Sequence, residues 1–358
     1  MTIQSTTNAT VSSMLSLTGS VNQISAQNAD LQAQLSSGVV SSSYAGLGDQ
    51  RFQALDLQPQ ITEVGAWQQN ITAAQNTLSV TQTAMSSIAG IATALQTSLI
   101  SLEGDPGTAD VTAAATQARS SLSELASLLN TRNGSQYVFA GSDPGTAPVT
   151  DPSDITTSTF FQTIQASVAS VGTAGADAVQ AAAVTAAANN SAGQSVFSAA
   201  LSVVGTAATS LAQSVTVGNQ DQVTVGFVAT QGSAASGTST GSSIRDLMGA
   251  LAVVGSLDQA DSSTAAFSTL VSDTAAQVSS INSSLTDSVA ALGQTQAQLT
   301  SQSSMLSSVS DALTTQLGSV KDSDAATLST QLTATQNQLT ASYTLIADMK
   351  GMSLASYI

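Results

Sequence analysis

The chain has 358 residues with no Cys and no His, and it is 42% apolar, 3% aromatic and 8% charged, with a net charge of −16. That composition excludes a disulfide scaffold, a His-based triad, a Cys nucleophile and an HExxH zinc site. Only Arg51, Arg119, Arg132, Arg245, Lys321 and Lys350 are positive, too few for the footprint that a nucleic acid or an anionic membrane requires.

Residues 1–12 are rich in Thr, Ser and Asn and predict an end without a helix of its own. The first 50 residues hold no Lys or Arg, so a secretory signal with a charged start is not expected. Met14, Leu17, Val21, Ile24, Asn28, Leu31 and Leu35 then alternate by three and four, which predicts an amphipathic helix to about Ser36 with Gly38 as its cap. Asn28, the one polar occupant of that stripe, reads either as a tolerated surface residue or as a register-setting group in a helix seam. Residues 39–58 interrupt the pattern with Gly46 and Gly48, and Pro59 predicts a kink or a helix start. Next, Ile71, Ala74, Leu78, Thr81, Met85, Ile88, Ala92, Leu95, Leu99 and Leu102 mark a long helix that Gly104-Asp105-Pro106-Gly107 ends in a turn. Val111, Ala115, Ala118, Leu122, Leu125 and Leu129 mark another, ending near Asn130.

The chemistry then changes. Asn133-Gly134 predicts a type I′ turn, with a short strand over Gln136-Tyr137-Val138-Phe139. Residues 144–243, rich in Gly, Ala, Ser and Thr, predict an inserted small mixed α+β domain. It holds a hairpin over 214–217 and 222–225 and a weak helix or connector over 174–188. Helix resumes at Ile244. The apolar run over 247–257 is the nearest to a spanning segment and falls short of the roughly 20 residues needed, so no membrane insertion is expected. Val271, Val278, Leu285, Leu292, Leu299, Leu306, Leu313 and Val320 hold one slot of eight successive heptads, a helix of roughly 75 Å at ~1.5 Å per residue. A last run places Leu328, Leu332, Leu339, Ile346 and Met349 in register, with Thr335 and Ser342 between them.

The fold class these elements predict is mainly α: a long coiled-coil-like helical bundle rod formed by both chain ends, carrying the inserted α+β domain. Residues 1–43 and 319–358 form the terminal helical domain, 44–143 and 244–318 the rod, and 144–243 the insert. The terminal seam would comprise Met14, Leu17, Val21, Ile24, Asn28, Leu31, Leu35, Leu328, Leu332, Leu339, Ile346 and Met349. The rod seam would comprise Val278, Leu285, Leu292, Leu299, Leu306 and Leu313. Helix flanks carry Gln, Ser and Thr where coiled coils carry Glu and Lys; such flanks either pack against many neighbours or are simply solvated. Tyr44 and Trp67 read as local packing or as subunit contacts, and Arg51 and Arg132 as partners for a neighbour's carboxylate or as surface residues. Asp322 and Asp324 read as a helix start, and Asp143, Asp151 and Asp154 as a solvated loop. No catalytic, cofactor or metal site is expected.

Three segments carry a family resemblance. Leu35-Ser36-Ser37-Gly38 after an amphipathic helix, Asn133 through Ser142 (NGSQYVFAGS), and the tail from Leu339 to Ile358 with its short apolar ending resemble the bacterial flagellin family. Filament flagellins usually follow the Ser-Ser-Gly with a basic residue and an Asp-Asp pair. This chain has Val39-Val40 and then Tyr44-Ala45-Gly46-Leu47-Gly48-Asp49-Gln50-Arg51, which is similar to the version in hook-filament junction proteins (hook-associated protein 3). The resemblance implies a non-enzymatic, secreted structural protein of the bacterial flagellum, exported through the type III apparatus. It implies a homo-oligomer in a helical assembly, with terminal helices forming the inner tube. Its implied partners are other flagellar axial proteins, namely a hook-associated protein and flagellin, and an export chaperone. Filament flagellin is the other reading within the family, and a type III needle-tip or translocator-like rod is a more distant one.

Overall fold

The computed structural model describes residues 3–104 and 106–355, with side chains from 12 to 349 apart from Asp105. Asp105 of the predicted turn and the last three residues of the apolar tail lie outside it. The chain divides into two compact units, residues 1–65 with 307–358, and residues 66–306. Ten α-helices occur among the described residues: α1 (Ile3–Ser37), α2 (Arg51–Ser101), α3 (Thr108–Leu129), α4 (Thr159–Ala169), α5 (Val171–Ala174), α6 (Ala176–Ala187), α7 (Gly205–Thr209), α8 (Ser243–Val254), α9 (Ala265–Lys321) and α10 (Ala325–Ala355). The only sheets described are two antiparallel two-stranded ones, β1 (Arg132–Asn133) with β2 (Gln136–Tyr137), and β3 (Ser214–Thr216) with β4 (Gln222–Thr224). The predicted mainly helical class, with small sheets confined to the middle, is what the chain forms.

Several boundaries differ from expectation. Helix α1 starts at Ile3 rather than after residue 12; no Gly or Pro precedes Gly19, so nothing in the backbone stops the helix from extending. Pro59 sits inside α2 without ending it. The carbonyl it deprives of a donor belongs to Leu55, and both residues are exposed, so water can satisfy that oxygen. The first hairpin turns on Gly134-Ser135, because Asn133 already pairs with Gln136. Gly134 has φ 61° and, among the described residues, no non-glycine residue has a positive φ, so the turn is of the II′ kind and not I′. One 18-residue window within the helical stretch 44–101 reaches a mean hydropathy of 1.2, enough by length and composition to cross a membrane. Sequence reading missed it because its Ser and Thr interrupt the apolar run.

In the unit 66–306, α2 and α9 run antiparallel. Gln75 Nε2 donates to Thr300 Oγ1 at 3.1 Å, and further along Asn282 Nδ2 donates to Thr93 Oγ1 at 3.3 Å, so partners move in opposite directions. All ten periodic residues of α2 and its end from Ile71 to Leu102 are buried, as are the six of α3 from Val111 to Leu129. On α9, Val278, Leu285, Leu292, Leu299 and Leu306 are buried within this unit. The polar occupants are satisfied locally, since the hydroxyls of Thr81 and Thr274 donate to the carbonyls of Thr77 and Leu270 at 2.8 and 2.7 Å. The β3–β4 hairpin lies across the two long helices, where Asn70 Nδ2 donates to Thr216 O at 3.2 Å and Gln302 Nε2 to Val217 O at 3.3 Å.

Helix α8 forms the centre of this unit. Every residue from Ile244 to Val254 is buried, and α3, α4 and α6 pack on it. Two of those covers, α4 and α6, come from the stretch read as an insert. Adjacent charges on α8 pin two loops. Arg245 donates to Ala187 O and Asn190 Oδ1, each at 2.7 Å, and to Leu201 O at 3.2 Å, and lies over the Phe197 ring at 4.9 Å. Burial pushes its pKa down to about 10 against the opposing pull of Asp246. The Asp246 carboxylate accepts from Ser239 Oγ and from Thr240 N. Composition marked Arg245 only as one of six cations; the partners that define its role are remote in sequence.

Leu299→Asp is expected to lower the stability of this unit by ~3–5 kcal/mol, the cost of an unpaired buried charge, whereas exposed Ser301→Asp should change it by less than ~0.5 kcal/mol; denaturant titration separates the two. Deleting residues 144–243 removes α4 and α6 from α8 and should abolish the cooperative thermal transition of the unit, measured by circular dichroism. A deletion that melts like the full chain would show that α8 needs no cover.

Candidate assembly surface

The terminal helices meet in the unit formed by residues 1–65 and 307–358. Gly38, at φ 74°, ends α1, and the chain then runs beside the α9–α10 connection. Val40 N donates to Lys321 O at 2.8 Å, Ser323 N to Gly38 O at 3.0 Å, and Val39 bridges Asp322. Leu47, Ala54 and Val320 bury together, with Val40 and Leu317 against them. A short 3-10 turn, Tyr44–Gln50, leads into α2 through Gly48 at φ 57°, and a Cβ on Gly46 would collide with the Ser41 side chain. Tyr44 lies under Lys321 Nζ at 5.6 Å, Arg51 over the adjacent Phe52 ring at 4.8 Å, and, in the other unit, Arg132 over Tyr137 at 4.9 Å. The Arg51 and Arg132 contacts are local in sequence, while Tyr44 and Lys321 meet from opposite ends of the chain; Trp67, in the other unit, is half-buried.

Asp324 starts α10. Its Oδ1 accepts from Ala326 N at 2.9 Å and from Thr327 N at 3.4 Å, amides that a helix start leaves free, and its Oδ2 accepts from Thr327 Oγ1 at 2.8 Å. The Thr327 side-chain bond, then the backbone bonds of Thr327 and Ala326, hold its carboxyl below the usual carboxylate range.

Because the end of α1 meets the start of α10 and the two pack along their length, they are antiparallel. With ~1.5 Å per residue in both, Leu31 faces the level of Leu332, Asn28 that of Thr335, Ile24 that of Leu339, and Leu17 that of Ile346. Val21, Asn28, Leu31 and Leu328 are buried; Leu17, Ile24, Leu332, Leu339, Ile346 and Met349 are half-buried; Met14 and Leu35 are exposed. On α9, Leu306 is buried in the other unit, while Leu313 is half-buried here. The chain's own pairing thus covers most of the stripe read from sequence, leaving the flanks for other contacts. Those flanks are apolar: Leu15 is 69% exposed and Phe52 67%, and Leu35, Leu55, Tyr343 and Leu345 are exposed as well.

This concentration is specific to the terminal unit. Among the described residues, nine of the twelve exposed large hydrophobic side chains lie in it, although it is less than half the size of the other unit. Helix α1 carries one charged residue, Asp30, and α10 carries Asp348 and Lys350. Such a face can be covered by another chain without stranding a charge. Sequence reading missed Leu15, Tyr343 and Leu345, although Leu15 follows Met14, Leu345 precedes Ile346 and Tyr343 follows the in-register Ser342, so that they widen the apolar stripe beyond one partner helix.

The unit 66–306 has a cavity of about 730 Å³ lined in part by Asp177, Gln180, Ser239, Asp246, Asp273 and Gln277. In that lining Ser239 Oγ donates to the Asp246 carboxylate, which caps the loop onto α8. Among the described residues no group of three or more carboxylates could hold a metal ion.

Comparison with known proteins converges on the terminal thirds. The family model described as the bacterial flagellin N-terminal helical region matches residues 7–143, and that for the flagellin C-terminal helical region matches 275–358. A solved structure from Vibrio parahaemolyticus, assigned as a flagellar hook-associated protein, shares the fold at a TM-score of 0.52 and 12% identity, covering 75% of this chain and 96% of that one. A search of curated proteins found no match.

Asp324→Ala should loosen the first turn of α10. Because the folded-state pKa is depressed below ~3.9, the cap's contribution is present above that value and lost as pH falls through the folded pKa. Asp324→Asn, which still accepts hydrogen bonds, should flatten this acid dependence; amide exchange at Ala326 and Thr327 across pH 2–6 measures it.

Proposed function

The chain belongs to the bacterial flagellin family, and from that premise we propose that it is the hook-filament junction protein of a flagellum, polymerising through its terminal helices. As a member of that family it is a structural flagellar protein that supports motility by building the axial assembly. The observation that carries the assembly reading is the crowding of exposed apolar side chains, nearly free of charge, onto the terminal unit. The junction role is carried by the sequence after Gly38: Val39-Val40, with no basic residue and no Asp-Asp pair, and then Tyr44 through Arg51.

In this reading Leu15, Leu35, Phe52, Leu55, Tyr343 and Leu345 contact neighbouring subunits. The seam from Met14 to Leu35 and from Leu328 to Met349 holds each subunit's two ends together. Export proceeds through the flagellar type III apparatus, with a chaperone covering the apolar ends. The partners on either side are another hook-associated protein and flagellin.

Deletion of the gene, with electron microscopy of cells and culture fluid, tests the role. A junction protein's loss should leave hooks on cells and intact flagellin shed into the medium; hooks without filaments and no shed flagellin would assign the chain as the filament subunit instead. Leu15→Glu with Leu345→Glu should leave the thermal transition of the free chain unchanged while abolishing incorporation into flagella. Normal incorporation of that variant would remove these flanks from the interface.

A further inference from the structure

The Arg245 guanidinium is bonded at both of its terminal nitrogens but not at the third. Nη1 and Nη2 reach Ala187 O and Asn190 Oδ1, while Nε is buried with no partner among the described residues. The whole residue is only 2% exposed. An unbonded N–H on a buried charged group is costly, more so than on a neutral one, so an acceptor at that edge would stabilise the centre of the unit. No carboxylate supplies it. Asp246 is taken up by Ser239 Oγ and Thr240 N, and the one ion pair among the described residues joins Arg119 to Asp258.

What Arg245 does face is a small cavity. Phe160 of α4, Ala187 at the end of α6, Ser195 and Phe197 of the segment that follows, and Met248 of α8 help to line it. About 10 Å³ is open there to the centre of a water, which is room for one such molecule. A phosphate or a carboxylate, with several heavy atoms, is too large. Apolar cavities stay dry, whereas a water with two to four polar partners is stable inside a protein. Such partners are in place. Nε has a proton to donate, and Ala187 O accepts from Nη1 at 2.7 Å and keeps a second lone pair. Ser195 Oγ accepts from Phe197 N at 3.2 Å and from Ser202 Oγ at 2.8 Å, and its own proton is uncommitted among the described residues.

We propose that this cavity is a binding site for one water molecule, which accepts from Arg245 Nε and Ser195 Oγ and donates to Ala187 O. The water completes the hydrogen bonding of a buried cation that has no counter-ion in contact, and it fastens residues 187–197 to α8. The site lies in the unit 66–306 and is independent of the junction role. Selective ¹⁵N labelling of arginine in the full chain tests it, with the Nε–H signal of Arg245 identified by its loss in Arg245→Lys. That signal should show a rotating-frame cross-peak to water with the sign of a dipolar contact, opposite to the sign that direct proton exchange gives. Exchange relayed through the Ser195 hydroxyl would imitate the contact, so Ser195→Ala is the control, and the cross-peak should persist in it because Arg245 and Ala187 remain. Absence of the cross-peak in the native chain, or its loss in Ser195→Ala, would overturn the proposal. A crystal of the native chain needs no variant: a density peak of water at about 2.9 Å from Nε is expected. An anomalous peak in the cavity after a bromide soak would overturn the proposal by showing an anion as the occupant.

Discussion

The terminal unit depends on a backbone tie between residues 38–40 and 321–323. Val40 N to Lys321 O at 2.8 Å and Ser323 N to Gly38 O at 3.0 Å join the α1–α2 connection to the α9–α10 connection. Such bonds need no particular side chain and leave only the exchange of water for protein as their energetic gain. Their structural effect is larger, because they bring the end of one helix to the start of another. Leu47, Ala54 and Val320 seal the tie on its apolar side, and Asp324 begins α10 immediately beyond it. The antiparallel order of α1 and α10, and the level at which every seam residue finds its opposite, follow from that point.

Long helices with so few charges stay satisfied by an unusual route. Ser and Thr hydroxyls donate back to the carbonyl four residues earlier throughout α2, α9 and α10, including the buried Thr81, Thr274 and Thr335. This arrangement lets a polar residue occupy a seam without a partner on the facing helix. It also gives a surface that another chain can cover without removing charges from water. The same economy leaves a single chain weakly covered at its ends, since one narrow seam buries little of α1 or α10, and Leu15, Tyr343 and Leu345 remain in solvent. A helix pair of this kind gains most from neighbours, which is the physical content of assembly through chain termini.

The unit 66–306 uses charge in the opposite way. Arg245 and Asp246 sit next to each other on a helix that is buried throughout, and each reaches a different loop. The guanidinium gathers acceptors around the end of α6 and the segment that follows it, and the carboxylate gathers donors from residues 239–240. Burial is tolerated because both terminal guanidinium nitrogens and both carboxylate oxygens are bonded, with Arg245 Nε alone of these atoms left without a partner among the described residues. Arg119 does comparable work at the rim, where its paired nitrogens hold Asp258 at 2.8 and 3.4 Å and its Nη1 reaches Gly255 O at 2.8 Å. Burial alone would raise the Asp258 pKa, yet the Arg119 and Gln259 hydrogen bonds and the Arg119 charge outweigh it, and the net shift is downward.

Sequence by itself determined the helices and their buried faces. A repeat of three and four residues can be satisfied only by a helix with one covered side, so the slots from Ile71 to Leu102, from Val111 to Leu129 and along α9 were legible without coordinates. The family resemblance was legible for the same reason, since it lies in those helices and the turns between them. Turn geometry at Gly134, the passage of α2 through Pro59 and the start of α1 at Ile3 were less so, because each depends on whether a neighbouring group finds water or a partner. Tertiary structure alone decided which chain segments cover which. Periodicity names the buried side of a helix without naming its cover, so the burial of Asn28, the exposure of Leu15 and Leu345, and the enclosure of α8 by α4 and α6 follow from contacts between residues far apart in the chain.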